Sequence, residues 1–296
     1  MSLYPTPGAP SPYADEPAAP PPPPLEPAPR RIPNLGHALL FIVTAGMLLF
    51  GSEVLLTILG KAPVTIRGGI TTIQHPLLQM AGQAATYILT LVVAWLVFPA
   101  IWHRPFSQGI RWSWYTARVH ALKLVSLGLL LGVMMQFVTY FATPPKVLPI
   151  EEFFSTPLAA WGMTLFGILV APVFEEICFR GFLVPGFAIA YDFLTLPRTP
   201  EAQTHWRTTT ILTPVSLLFS AVVTSVLFAW IHSEQIAHYP AALVGLFCVS
   251  LLLTIVRVRT QSVAASTLVH AAYNSFIFIA LVIQTGGYRH LDRLAH

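Results

Sequence analysis

Three short stretches of this 296-residue chain place ionisable or amide side chains inside long apolar runs. The first holds Glu175, Glu176 and Arg180, the second ends on His232 after Phe228, and the third holds His270 and Asn274. An ionised side chain at mid-membrane costs ~2.5–3.5 kcal/mol on insertion scales, so those that persist usually face a wet cavity or a partner. Helical geometry gives the two adjacent glutamates different work. Neighbours on an α-helix diverge by roughly 100°, whereas residues four apart diverge by only about 40°. Glu176 and Arg180, four apart with the acid first, are placed to form an ion pair. Glu175 projects away from that pair and is the carboxylate left over to act as a general base. His270 and Asn274, also four apart, share one helical face as stacked donors for a developing oxyanion. His232, at or near the end of another helix, is placed to share a water molecule with Glu175. The set contains a base, an assisting imidazole and two oxyanion donors, and needs no serine nucleophile; that is the equipment of hydrolysis by activated water.

The elements that must position these groups are membrane spans. Hydrophobic residues make up 55% of the chain and charged residues 9%, against roughly 25% charged in soluble domains, and mean hydropathy is +0.67. Apolar runs long enough to cross ~30 Å of hydrocarbon recur at about 37–59, 77–101, 119–141, 157–180, 211–232, 239–256 and 262–284. An eighth span or a re-entrant piece around 181–191 is an open alternative. The sixth run offers almost nothing polar. The expected fold is all-α: a polytopic transmembrane bundle of about seven to eight helices over 37–296, its catalytic core at about 157–284. Residues 1–36 hold 13 of the 27 prolines, including the run Pro20–Pro24, and read as a disordered proline-rich tail. With its acids Asp15, Glu16 and Glu26 and no basic start, the tail does not read as a signal peptide.

Nine Lys and Arg fall in the segments on the tail's side and five in those opposite, which places the amino terminus in the cytoplasm and the protein in a cell membrane. The basic residues are scattered singly and form no stripe for phosphates, which argues against nucleic-acid binding. The expected partners are the lipid bilayer and a membrane-anchored peptide or protein substrate.

The patterns E-E-x-x-x-R (Glu175, Glu176, Arg180), F-x-x-x-H (Phe228, His232) and H-x-x-x-N (His270, Asn274), in this order and each within a hydrophobic run, resemble the CPBP (ABI) intramembrane proteases, which include the type II CAAX prenyl endopeptidases. The Arg180-Gly181 continuation and the Ser266–Asn274 context extend the resemblance. It implies a helical membrane endopeptidase with a hydrated active site within the bilayer. Carried over residue by residue, Glu175 with His232 activates water, His270 and Asn274 stabilise the tetrahedral intermediate, and Glu176 and Arg180 support the site. The substrate it implies is a membrane-associated, in some members prenylated, peptide.

Alternatives come from the same residues. His232, His270 and Glu175 make up the His2Glu set of catalytic zinc sites, so zinc-dependent hydrolysis stands beside the metal-free form, although no H-E-x-x-H pair is present. The nearest approach, from His232 through Glu234 to His238, has the wrong spacing. A non-proteolytic scaffold or immunity factor would use the same groups only to brace helices, and a proton-coupled transporter would use them as a relay. Cys178 beside two carboxylates is poorly placed to be a thiolate nucleophile. Glu53 is a further acid within the first run. Phe228 is expected to pack, and Pro172 to kink the fourth span and open the cavity.

Overall fold

The computed structural model describes residues 30–294 except 62–63, 68–69, 74, 143–144 and 146–147; the proline-rich stretch 1–29 lies outside the described residues. Among the described residues seven helices are long and apolar enough to cross a membrane. We label them α1 (Leu35–Ile58), α2 (Pro76–Trp102), α3 (Ala121–Tyr140), α4 (Pro157–Leu194), α5 (Pro214–Ile231), α6 (Pro240–Thr260) and α7 (Val263–Gln284). The fold is all-α, as the sequence implies, with one short antiparallel hairpin between α1 and α2 in which Val64 pairs with Ile73 and Arg67 with Ile70.

Local chemistry sets the helix starts. Asn34 caps α1 by accepting from the His37 amide while His37 Nδ1 accepts from the Asn34 amide, a capping box that uses histidine at its third position. Thr156, Thr213 and Ser262 cap α4, α5 and α7 through their hydroxyls, the first two followed directly by proline. Helix α1 therefore begins at Leu35. Arg30–Asn34 already belong to the folded body, with Arg31 Nη1 donating to the Thr209 carbonyl at 2.6 Å.

The fourth span departs most from expectation. It is 38 residues long, and the 181–191 piece continues the helix rather than forming an eighth span or a re-entrant loop. Two π-type segments, Phe166–Val170 and Ile177–Leu183, interrupt the α-helix just ahead of Pro172 and Pro185. Wider turns absorb the prolines, which lack an N–H for the preceding turn. Gly181 and Gly186, which look like a helix end, are packing positions instead: a Cβ on Gly186 would lie 3.3 Å from the Leu35 backbone.

The core divides along the helices. Phe41 of α1, Phe98 and Trp102 of α2, and Phe174 and Phe182 of α4 form one aromatic cluster, with Phe41 and Phe182 stacked at 4.6 Å between ring centroids. Such a pair contributes ~0.5–1.5 kcal/mol beyond its area. Helix α7, which carries His270, is seated against α3 through Gly128 and Gly132. A Cβ at Gly128 would stand 2.4 Å from the Val269 carbonyl, and one at Gly132 would stand 2.5 Å from the Phe276 ring. Spaced four apart, these glycines let the backbones approach as small residues do between membrane helices. The opposite faces carry exposed Leu, Val, Ile and Phe, among them Met47 and Phe50 of α1 and Leu122 of α3, as a lipid-facing surface requires.

Candidate active site

Helix α4 presents its two glutamates to different neighbours. Glu176 is fully buried, and its Oε1 accepts from Arg180 Nη1 at 2.8 Å, the ion pair that the four-residue spacing predicts. The same oxygen lies 3.1 Å from His270 Nδ1 on α7. Arg180, equally buried, reaches across to α6, where Nη2 donates to the Ser250 carbonyl at 2.7 Å and its hydroxyl at 2.8 Å. One buried network therefore joins α4, α6 and α7. The sixth run, which the sequence reads as almost without polar groups, supplies the second anchor of the arginine. A lone serine inside a span is too common a feature to have marked it.

Glu175 stands apart from this network. Its Oε2 is 3.9 Å from His270 Nε2 and 4.0 Å from His232 Nε2, too long for direct hydrogen bonds, and its side chain keeps 14% of its exposure. Residues from α4, α7 and the end of α5 thus face one small gap. His232 is the cap residue of α5 and lies 2.7 Å through Nδ1 from the Phe228 carbonyl. Because a carbonyl only accepts, the proton sits on Nδ1 and the Nε2 lone pair of the neutral ring turns toward Glu175. Glu176 fixes His270 in the same sense, since its paired carboxylate accepts from Nδ1.

Phe228 packs, as expected, and its place explains its spacing. The ring lies 4.6 Å from the His232 ring, 5.9 Å from that of His270, and 5.2 Å from the Arg180 guanidinium. It packs against both imidazoles and against the Arg180 guanidinium at once. Tyr87 of α2 stacks on Phe174 at 3.7 Å and closes the next face, a contact that sequence spacing does not reveal.

Asn274 has a different first partner from the one its spacing suggests. Its Nδ2 donates to the Gly167 carbonyl of α4 at 2.7 Å, whereas His270, on the same face, bonds to Glu176. The proline explains this contact. In a π-type turn the Gly167 carbonyl would receive the amide of residue 172, and Pro172 has none to give. The asparagine takes the vacant acceptor and keeps a second amide hydrogen.

The residues outside the cluster are equally informative. Glu53 is exposed on α1. Glu234 and His238 pair with each other at 3.2 Å on the surface beyond α5. Cys178 is half-buried beside Glu175, and Cys248 is exposed on α6.

The His2Glu donor set does not fit zinc as it stands. Ligands at ~2.0–2.2 Å around a tetrahedral ion lie about 3.4 Å apart, well inside the 3.9 and 4.0 Å gaps from Glu175. Among the described residues no group of three or more His, Cys, Asp or Glu is spaced to hold an ion.

Residues 157–276, which contain all six of these polar groups, match the family described as Type II CAAX prenyl endopeptidase Rce1-like. This part of the chain is similar to that family. The match begins at the first residue of α4 and leaves α1–α3 outside it. No curated protein and no solved structure matches the chain closely. With seven helices among the described residues long and apolar enough to cross a membrane, four of them overlapping the matched stretch, the protein is an integral, multi-pass membrane protein.

Proposed function

We propose that this protein is an intramembrane endopeptidase that hydrolyses peptide bonds of membrane-associated, prenylated or otherwise anchored substrates by glutamate-activated water. The observation that carries the reading is the free Glu175 carboxylate facing two imidazole Nε2 atoms at 3.9 and 4.0 Å, each ring oriented from behind through Nδ1. A water in that gap donates one hydrogen to Glu175 Oε2 and the other to His232 Nε2, and its lone pair attacks the scissile carbonyl. As the carbon–oxygen bond forms, Glu175 takes the proton. It delivers that proton to the amine when the tetrahedral intermediate collapses, leaving a carboxylic acid and a free amine.

The oxyanion falls to His270 and Asn274. Asn274 offers its second amide hydrogen, and His270, held through Nδ1 by the Glu176 carboxylate, presents Nε2 to the same gap, where it donates to the oxyanion when that nitrogen carries a hydrogen during turnover. Glu176 and Arg180 are positioning residues that hold α4, α6 and α7 at fixed spacing. The bracing role that a scaffold would need is therefore supplied by Glu176, Arg180 and Ser250. Glu175 takes no part in it, which favours the protease over the scaffold reading.

The test is cleavage of labelled peptides, prenylated and unprenylated, by the purified protein with and without a chelator. The proposal expects cleavage that survives chelation and is lost in Glu175→Gln. Full activity in that variant removes Glu175 from the mechanism, and loss on chelation replaces the water-only reaction with a metal-dependent one.

A further inference from the structure

At the other end of the bundle lies a cavity of about 510 Å³ with a different character. Five arginines line it: Arg30 and Arg31 ahead of α1, Arg104 and Arg111 after α2, and Arg257 near the end of α6, with Gln261 beside them. No acidic side chain lines it among the described residues. Leu212 and Leu217, at the start of α5, form part of its wall. Val184 and Pro185 of α4 also line it, nine and ten residues beyond Glu175, so the cavity lies about 14 Å along that helix from the active site at ~1.5 Å per residue.

Arg257 is the informative member. It is 6% exposed, and its Nε has no hydrogen-bond partner among the described residues. The charged group that bears on it most is Arg111, of the same sign. Arg31 is half-buried, with an Nε also lacking a partner there, and its guanidinium lies 3.6 Å over the Trp206 ring while Nη1 donates to the Thr209 carbonyl. A buried guanidinium facing a second cation, with no carboxylate in the lining, is an arrangement that a bound anion relieves. Guanidinium forks match phosphate oxygens in pairs, and basic pockets between helices at the membrane surface suit phosphate-bearing headgroups. The volume exceeds what one inorganic phosphate fills and lies within the range of small-molecule sites.

We infer that this cavity is a binding site for a phosphate-bearing anion, either the headgroup of an anionic phospholipid or a soluble phosphate compound, with Arg257 and Arg111 as its principal contacts. The inference is independent of the protease reading.

The test is the thermal midpoint of the full chain in phosphatidylcholine nanodiscs, with and without phosphatidylglycerol, and separately with inorganic phosphate against chloride at matched ionic strength. The wild type is expected to gain stability from phosphatidylglycerol, from phosphate, or from both. A response to the lipid alone assigns the site to headgroups, and a response to phosphate alone assigns it to soluble anions. In Arg257→Gln the response is expected to weaken at least about tenfold in half-saturating concentration. Without anion this variant is expected to be no less stable than the wild type, since it loses an unpaired buried charge. Arg111→Gln, at an exposed position, is the second variant should Arg257→Gln not fold, and the same weakening is expected of it. No response above chloride to either probe, or an undiminished response in the folded variants, overturns the inference.

Discussion

The same substitution at two adjacent residues is expected to give opposite signatures. Glu175→Gln keeps shape and removes the carboxylate proposed as the base. The Glu175 side chain makes no direct hydrogen bond to either imidazole, so stability is expected to change by no more than ~0.5 kcal/mol, as for substitutions away from packed or paired features. Losing a general base costs ~10²–10⁴ in rate, or about 2.7–5.4 kcal/mol at 1.36 kcal/mol per tenfold. Glu176→Gln has the reverse balance. It leaves Arg180 fully buried with neutral acceptors only, the Ser250 carbonyl and hydroxyl and the new amide oxygen, and removing the charge on one side of a buried pair costs up to ~3–5 kcal/mol. It also takes the anion from behind His270. The assay pairs a quenched-fluorescence peptide with thermal unfolding of the same preparations in one detergent. Glu175→Gln is expected to unfold with the wild type and cleave at background. Glu176→Gln is expected to unfold well below the wild type, retaining partial activity at temperatures where it stays folded. A stable Glu176→Gln together with a strongly destabilised Glu175→Gln would refute the division of roles between the two glutamates.

Three further outcomes follow from single contacts. Ser250→Ala removes one hydrogen bond to the buried Arg180 charge while keeping the carbonyl, so it is expected to lower stability by ~1.5–3 kcal/mol in denaturation with little effect on peptide KM. Gly128→Val drives side-chain atoms into the Val269 carbonyl and Ala272, and is expected to cost ~1–3 kcal/mol or more by thermal unfolding, whereas Gly46→Ala, where a Cβ meets nothing, is expected to be silent. Pro172→Ala returns an amide hydrogen that competes with Asn274 for the Gly167 carbonyl; the expected result is a fall in kcat with KM nearly unchanged, and an unaltered kcat would show that this contact does not position the asparagine.

How far the sequence discloses this molecule depends on what kind of group does the work. Span number was legible because the cost of leaving backbone groups unpaired in lipid forces each apolar run to become a helix. The separation of Glu175 from Glu176 was legible because one helical step of 100° sends them to different neighbours, and α4 keeps that step where Ala171–Glu176 remains α-helical between its π-type segments. The length of α4 was not. Gly181, Pro185 and Gly186 carry the local signature of a helix end, and only tertiary packing against Leu35 and Ile110 shows why the helix continues through them. Partners made of backbone were not legible either. The Gly167 and Phe228 carbonyls fix Asn274 and His232, yet any residue type supplies a carbonyl, so nothing in the side-chain pattern announces them. Gly128 and Gly132 could have been found from their four-residue spacing alone, a recognised signal for close helix approach.

The spacing of the three facing atoms argues most directly for what belongs between them. With Nδ1 of each imidazole donating behind it, the neutral site turns three acceptors toward one another: Glu175 Oε2, His232 Nε2 and His270 Nε2. Lone pairs do not hold such a convergence unaided, so the gap calls for a donor. Two acceptors 4.0 Å apart, each ~2.8 Å from a shared oxygen, subtend about 90° at it, close to the span of the two hydrogens of water. A zinc ion would have to draw the carboxylate and imidazole in by about half an ångström to reach its own bond lengths, against a His232 ring tethered at 2.7 Å to the Phe228 carbonyl and a His270 ring tethered at 3.1 Å to Glu176. The tethers that make both rings acceptors are also what keep the gap wide. Phe228→Leu keeps the carbonyl tether but takes away the ring packed on both imidazoles and on Arg180, so it is expected to lower kcat at temperatures where the variant stays folded and, as a truncation of a fully buried ring, to lower stability by ~1 kcal/mol or more in thermal unfolding; an unaltered kcat would show that the ring does not position the imidazoles.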